Sequence, residues 1–374
     1  MESVRKIALD GVPRDAAADL WRVFIDSEAS DDVPVHLSVA PGARLRWDAL
    51  DELPDLAEIN YAGDDTGIIE YVRRRPAILD LSWRGRLPDR IDLAQSAVRS
   101  LALRPVEPSR TTALALPASL HVLELVRIPG EMTFACIHPR NGAGLIGIFS
   151  TAPGTGFRRQ VVGLGQLTRL DLFDADTASV AAIADLFPGL EDLTLRGPPG
   201  KVADLANLDR LPKLRKLELV DCYELHATDL QRPLAVSLES LVVDGIRRDD
   251  AQALKRLVPA KNVELRGVRT PAWLAANVNN PFREWPVRSR ARRVASKAYS
   301  DAVHALDRLT PHSRSETEAI VLRFIEALNA VYHKDGLDTL QAEDVFVAVE
   351  ELVRGRGDFA VEDALALLER CRDF

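Results

Sequence analysis

The residues that could carry covalent chemistry are few and scattered. The chain of 374 residues has three cysteines, Cys136, Cys222 and Cys371, and no Cys-x-x-Cys pair of the kind that binds zinc. Cys371 lies in a Cys-Arg-Asp segment, where a nucleophilic thiol would need a lowered pKa and an exposed setting. Because Leu365, Leu368 and Cys371 fall on one helical face, we expect this thiol to pack rather than to react.

Other short motifs lack the partners that their chemistry requires. The Asp-Asp-Thr-Gly segment at Asp64 has no second copy to form an aspartic-protease pair, so it predicts a turn. A calcium loop with Gly336 at its sixth position would place Val331 and Ala342 where oxygen ligands are needed, so a helix–helix turn is expected beside His333. The segment "GTGFRR" lacks the Gly-Lys-Ser/Thr of a phosphate loop, and no two histidines are four residues apart. We therefore expect no catalytic residue, no metal and no cofactor.

Charge and hydropathy narrow the choice of partner and compartment. A net charge of −8 and a pI of about 5.5 make a nucleic-acid partner unlikely. A basic run could still contact phosphate, or form a solvated helix face, or meet the acidic repeats: Arg288, Arg290, Arg292, Arg293 and Lys297. No signal peptide and no run of eighteen apolar residues is evident, which predicts a cytoplasmic protein with no membrane partner. The richness in arginine and alanine is typical of a high-GC bacterial genome.

The elements that would position any site repeat along the chain. Two segments, "LTRLDLFDAD" from Leu167 and "LEDLTLRG" from Leu190, share the spacing L-x-x-L-x-L. The same spacing recurs every 20 to 24 residues, with central apolar residues at Leu37, Ile59, Leu79, Leu101, Leu123, Ile146, Leu170, Leu193, Leu217, Leu241 and Val263. A twelfth strand around Ile7 is expected before them, across a helical insertion, "RDAAADLWRVFIDSE". Because side chains alternate across a strand, each unit turns its apolar pair inward and must stack on its neighbours.

This pattern resembles the leucine-rich repeat family over roughly residues 33 to 268. The resemblance implies an α/β solenoid of parallel strands with a mixed helical and extended convex side, in about 11–12 repeats within residues 1–280. The family's Asn or Cys after the strand is matched only by Cys222, so Gly- and Pro-rich turns must hold the other repeats. On the convex side, "DTASVAAIADLFPG" and "DDAQALKRLVP" predict short helices, and "RPVEPSRTTALALPAS" predicts an extended segment.

Residues 281–374 predict a separate all-α domain. Apolar residues recur there at three- and four-residue spacing, in two stripes: Ile320, Phe324, Ile325 and Leu328, then Val345, Val349 and Leu352. The domain is similar to C-terminal tails of bacterial leucine-rich repeat proteins. Its Cys371 also resembles the Cys-x-Asp nucleophile of bacterial ubiquitin ligases that combine such repeats with a helical domain, although those domains are much longer.

The resemblance implies that ligands bind on the concave face, which the outward residues of the strands form. The expected partner-binding residues are Asp80, Glu124, Phe149, Arg169, Asp171, Phe173, Arg196, Lys216, Glu218 and Glu264. Among them, Asp171, Glu218 and Glu264 with Phe173 are the predicted centre of the contact. Carboxylates stacked on adjacent strands would repel one another, so either a ligand or the nearby arginines must offset them. The alternative is a ladder of ion pairs without a ligand.

These observations predict a non-catalytic module that binds a protein or peptide, with a basic partner as one option. An immunity-type inhibitor and a protein that presents a peptide to an enzyme both fit this description. The alternative is an enzyme with its site in the helical domain, such as a ligase-like thiol at Cys371, or in the glycine-rich residues 130–163.

Overall fold

The structure, a computed structural model, divides into two compact units, Met1–Arg269 and Thr270–Phe374. The predicted boundary follows residue 280, whereas the second unit already includes a helix at Pro271–Asn277. The structure describes residues 4–10, 14–17, 20–26, 36–39, 42–106, 111–152, 154–197, 200–235, 238–278, 280–283, 285–286, 288–309, 313–354, 356 and 359–374.

Strands make up most of the regular structure of the first unit. They are β1 Val4–Ile7, β2 Arg14–Ala17, β3 Arg22–Asp26, β4 His36–Ser38, β5 Glu58–Ala62, β6 Asp80–Gly85, β7 Arg90–Asp92, β8 Ser100–Pro105, β9 Thr111–Ala115, β10 Val122–Ile128, β11 Thr133–Ile137, β12 Ile146–Thr151, β13 Val161–Val162, β14 Arg169–Phe173, β15 Thr177–Ser179, β16 Asp192–Arg196, β17 Lys201–Ala203, β18 Lys216–Val220, β19 Leu238–Arg247 and β20 Ala260–Arg269.

A parallel sheet of twelve strands organises this unit. Its order is β4-β3-β5-β6-β8-β10-β12-β14-β16-β18-β19-β20, so each strand pairs with the next long strand along most of the chain. Leu170, Leu193, Leu217 and Leu241 are register partners on adjacent strands, and none is more than 1% exposed. The prediction of successive parallel strands with a buried leucine ladder is therefore confirmed, and the fold is α/β with a large parallel sheet.

The segments between these strands cover the inner, apolar face of the sheet. Strands β13-β11-β9-β7 form a four-stranded parallel sheet there, and β15 pairs with β17. The helices are α1 Gly67–Arg74, α2 Val180–Leu186 and α3 Arg248–Leu257, with 3-10 turns at Trp47–Glu52, Leu205–Arg210 and Ala227–Asp229. The Ser179 hydroxyl accepts a hydrogen bond from the Ala182 N–H and begins α2. The two predicted helices are confirmed, and so is the predicted extended segment over its described residues, which include β9. Residues 107–110 of that segment lie outside the described residues.

The expected helical insertion at residues 14–28 is wrong. That segment contains β2 and β3, and β1 pairs antiparallel with β2 outside the main sheet. Val23 and Ile25 are both fully buried, because a two-residue alternation turns them to the same face of β3. Since β3 lies between β4 and β5, Leu37 and Ile59 are not on neighbouring strands as the repeat spacing predicts. Residues 18, 19, 27 and 28 of the segment lie outside the described residues.

The described part of the second unit is helical, as the apolar stripes predict. Its helices are α4 Pro271–Asn277, α5 Arg290–Asp307, α6 Arg314–Asp335, α7 Thr339–Val353 and α8 Val361–Cys371. Every residue of the two predicted stripes is buried in its core. The turn beside His333 lies between α6 and α7, where Gly336 has a φ of 72° and the Asp338 carboxylate accepts from the Gln341 N–H.

Candidate functional site

The strand register decides which outward side chains lie next to one another on the outer face of the large sheet. We call one row across β5 to β20 the middle column: Asn60, Ser82, Ala102, Glu124, Ile148, Asp171, Thr194, Glu218, Val242 and Glu264. No two adjacent strands of this column carry a carboxylate. Its acidic residues therefore lie two strands apart, roughly 10 Å, rather than at the single-strand spacing of about 4.8 Å. The expected repulsion between stacked carboxylates is correspondingly weaker.

Asp80 does not belong to the middle column. Leu81, not Leu79, is the inward partner of Ile59 and Leu101, so Asp80 lies beside Glu58 and Ser100 instead. Burial raises the pKa of Asp80, and the nearby Glu58 charge raises it further. Asp80 still faces outward, and only the choice of Leu79 as the inward residue was wrong, because Leu79 and Leu81 both satisfy the apolar spacing and only the register distinguishes them.

Phe149 is not on the outer face. Gly147 is the register partner of Leu123 and Leu170, so Phe149 points inward with Leu125 and Leu172 and is fully buried. The prediction took Ile146 as the inward residue, because a glycine carries no hydrophobic signal. The ring of Phe149 occupies the space that a side chain at Gly147 would need, since a Cβ atom there would lie 2.8 Å from the Phe149 Cζ atom.

On the half of the outer face formed by β14 to β20, basic side chains pair with carboxylates of the same face. We call this the paired half. The Arg169 guanidinium contacts the Asp171 carboxylate at 2.9 Å, and Arg196 contacts Glu218 at 2.9 Å on the next strand. Arg266 pairs with Glu264 at 2.5 Å. Lys216 lies 3.7 Å from the Asp192 carboxylate, and the Arg196 guanidinium lies 5.7 Å from the centre of the Phe173 ring.

Pairing changes what the predicted contact residues can offer a partner. Asp171 is only 8% exposed, and both of its carboxylate oxygens accept hydrogen bonds from Arg169. Exposed ion pairs contribute about 0–1 kcal/mol each, so these pairs stabilise the fold only slightly. They do remove the need for a basic ligand, because each carboxylate of the predicted centre already has an arginine within the chain.

The half of the outer face on β6 to β12 differs in both polarity and charge. Val122, Ile146 and Ile148 are half-buried on its surface, and we call them the apolar patch. Beside them lie Arg84, Arg104 and Arg127, which we call the arginine row. Among the described residues, no carboxylate forms an ion pair with these three guanidiniums. None of these three arginines is among the partner-binding residues that the sequence predicts.

Most side chains of the basic run at residues 288–297 form contacts within the second unit. The Arg292 guanidinium is buried and donates to the Asn277 side-chain oxygen at 3.0 Å, and Arg290 pairs with Asp335 at 2.9 Å. Lys297 pairs with Asp301 one turn along α5. These contacts satisfy three of its five basic side chains, which argues for a structural rather than a phosphate-binding role.

The three cysteines differ in their surroundings. Burial raises the pKa values of Cys136 and Cys222 to about 12, so neither thiol ionises near neutral pH. The Cys222 thiol donates a hydrogen bond of 3.5 Å to the Leu195 carbonyl oxygen of the adjacent strand β16. Cys371 is half-buried against the helical core. No basic group is hydrogen-bonded to its thiol in the described part of the chain.

We expect Cys371→Ser to leave binding and any cellular activity unchanged. The hydroxyl is close in size to the thiol, and water can reach it at this half-buried position. The free energy of unfolding should therefore change by about 1 kcal/mol or less. A thermal melt together with the binding assay described below tests this. Loss of activity with an unchanged melt would instead support thiol chemistry at Cys371.

Other classes of site find no support in the described residues. They contain no cluster of three or more His, Cys, Asp or Glu side chains that could hold a metal ion. None of their helices combines the length and apolar character needed to cross a bilayer. Comparison with known proteins finds no matching family model and no similar curated sequence.

Proposed function

We propose that this protein is a non-catalytic binding module, a leucine-rich repeat solenoid that holds an extended stretch of a partner polypeptide on the outer face of its large sheet. One observation carries the proposal. Parallel sheets are normally covered on both faces, whereas the outward side chains of this twelve-stranded sheet remain exposed or half-buried along most of its described length. A surface of this kind supports binding of a long, shallow ligand more readily than binding of a small molecule.

The chemistry of the outer face also suits a polypeptide. The apolar patch of Val122, Ile146 and Ile148 can bury side chains of a partner, and the adjacent arginines can orient its polar groups. Arginine and apolar side chains next to one another are common among the residues that contribute most to protein interfaces. We therefore place the centre of the contact on β8 to β12, next to Asp171 on β14 but at least three strands from Glu218 and Glu264.

An inhibitor of immunity type and a presenter of peptides to an enzyme remain the two forms of this function. Both require the outer face to recognise a polypeptide, and both leave the helical unit available for a second contact. The enzyme alternative lacks a supporting contact, because Cys371 has no activating base among the described residues.

The proposal is tested by selecting ligands for the full chain from a displayed library of random twelve-residue peptides. Binding of the selected peptides is then measured by fluorescence polarisation. We expect Ile148→Lys to weaken binding roughly tenfold or more, because it places a charge within the apolar contact. The control is Arg256→Glu on α3, an exposed helix position on the opposite side of the core, which should change the affinity less than about twofold.

A further pair of substitutions locates the contact along the face. Glu218→Lys with Glu264→Lys should abolish binding if a basic partner lies on the paired half, and should leave it unchanged if the contact centres on β8 to β12. Selected peptides that bind equally well to the Ile148 variant, or a library that yields no ligand, would contradict the proposed function.

A further inference from the structure

The arginine row is unusual because three positive charges lie side by side without a neutralising partner. Arg84 and Arg104 are register partners on adjacent strands, and Arg127 lies at the end of the next strand. Their neighbours on either side are neutral, with Ala62 beside Arg84 and Ser150 beside Arg127. Like charges on adjacent strands repel, whereas Arg169, Arg196 and Arg266 of the paired half each contact a carboxylate.

The middle guanidinium is affected by both neighbours. Partial burial lowers the pKa of Arg104, and the charges of Arg127 and Arg84 lower it further. An arginine stays protonated under these conditions, so the cost appears as unfavourable energy of the charged state rather than as loss of the proton. An anion at this place would offset that cost.

The backbone holds Arg127 in a conformation that arginine seldom adopts. Its φ is 54°, in the left-handed region, and its N–H donates to the Ser150 hydroxyl at 2.8 Å. At the corresponding positions, Asp174 and Asp221 directly follow β14 and β18, and Gly245 and Gly267 lie within β19 and β20. These residue types tolerate the left-handed conformation at less cost. An arginine at this turn therefore carries a conformational cost that a glycine or an aspartate would reduce.

The carboxyl of Asp174 is close enough to be affected by Arg127 but does not neutralise the row. Arg127 acts on the carboxyl of Asp174, where burial raises the pKa and the arginine opposes that rise. No ion pair joins the two side chains in the part of the chain that the structure describes. Arg84 and Arg104 likewise form no ion pair with a carboxylate of the described residues.

We infer that Arg84, Arg104 and Arg127 bind an acidic segment of a polypeptide, through carboxylates on alternate residues of an extended chain. This inference rests on the proposed function and specifies the partner's chemistry. Three strands span roughly 10 Å, and side chains two residues apart on an extended peptide are about 7 Å apart, so two carboxylates fit opposite the three guanidiniums. Each carboxylate can accept paired N–H bonds from an arginine, which gives direction as well as charge.

The test uses the full chain and a fluorescein-labelled peptide of four Ser-Glu repeats, with a Ser-Gln peptide as the neutral control. We expect the acidic peptide to bind and the neutral one to bind much more weakly. Arg84→Gln with Arg104→Gln and Arg127→Gln should weaken acidic-peptide binding roughly tenfold or more, because it removes the charged hydrogen bonds to the peptide's carboxylates. Raising the salt concentration from 0.05 to 0.5 M should weaken wild-type binding as well, because screening shortens the reach of these charges.

The matched control removes three arginines from the paired half of the same face. Arg169→Gln with Arg196→Gln and Arg266→Gln changes the net charge equally but removes arginines that already have carboxylate partners. Equal weakening in both triple variants would mean general electrostatic attraction and would overturn the inference. Unchanged binding in the arginine-row variant, with thermal melts preserved, would also overturn it, and the Arg84→Gln, Arg104→Gln pair repeats the test if the triple variant fails to fold.

Two further outcomes separate this inference from the proposed function. In one outcome, inorganic phosphate displaces the peptide at a concentration no higher than that of the peptide's carboxylates. The arginine row is then a site for small oxyanions, and the inference that it binds an acidic polypeptide fails. If library-selected peptides bind through Ile148 but ignore the arginine row, the proposed function stands and only the inference fails.

Discussion

Phe149→Ala should destabilise the first unit by about 3–5 kcal/mol, the typical cost of truncating a buried phenylalanine. The Phe149 ring is fully buried and packs with two other rings, 6.3 Å from the centre of Phe157 and 6.2 Å from that of Phe187. Alanine would leave a cavity beside Gly147, bordered by the side chain of Leu167. Urea unfolding followed by circular dichroism measures the loss.

Gly147 supplies the control for this prediction. Gly147→Leu alone should destabilise by about 1–3 kcal/mol or more, because its Cβ would approach the Phe149 ring to 2.8 Å. Gly147→Leu combined with Phe149→Leu gives β12 the same inward leucine pair as β10 and should stay within about 1.5 kcal/mol of the wild type. A Phe149→Ala cost below about 1 kcal/mol, or a double variant no better than the single ones, would show that the two positions do not share this space.

The leucine spacing predicted the large sheet because every strand alternates inward and outward side chains, so the buried leucines also mark which residues pair between strands. Each strand must turn two alternate side chains into the core, so the apolar pairs at Leu193, Leu217 and Leu241 reveal both the strands and their register. The sequence also predicted the helices α2 and α3, since an apolar stripe marks each of them and Ser179 caps α2.

The failures came from positions where the same pattern has two solutions. Leu79 and Leu81 both fit the spacing, and Gly147 leaves no apolar signal at an inward position that Phe149 fills from two residues away. The segment Trp21–Ile25 of β3 is too short for its apolar pattern to distinguish a helix from a strand. Only its pairing with β4 and β5 makes it a strand. Local sequence carries none of this pairing information.

The candidate site was harder to predict than the fold. The arginine partners of Asp171 and Glu218 lie on their own or the next strand, so the pairing that neutralises them depends on register and side-chain direction. Arg84 and Arg104 could have been found, because each directly follows an inward residue on consecutive strands. Arg127 could not, because a register irregularity between Leu125 and Ile128 displaces it by one residue.

Gly163 follows β13 at a close approach of two backbone segments. Its φ is 88°, and a Cβ atom there would lie 2.0 Å from the carbonyl oxygen of Cys136 on β11. A side chain would therefore meet both left-handed backbone strain and a contact with main chain that cannot rotate away. The fold of residues 130–163 therefore requires a glycine at position 163, and this glycine is not evidence for a functional site in that segment.

Gly163→Ala should destabilise the first unit by about 2–5 kcal/mol, of which about 1–2 reflects the left-handed conformation and the remainder the displacement of β11 from β13. Gly154→Ala is the matched control, because Gly154 has a φ of 80° but no atom within 4 Å of the added Cβ. It should cost only the conformational part, about 1–2 kcal/mol. Urea unfolding of both variants measures the difference, and hydrogen exchange should show lost protection at β11 and β13 in the Gly163 variant alone. Equal costs in the two variants would mean that the Cys136 contact contributes nothing, and that only the backbone conformation requires glycine.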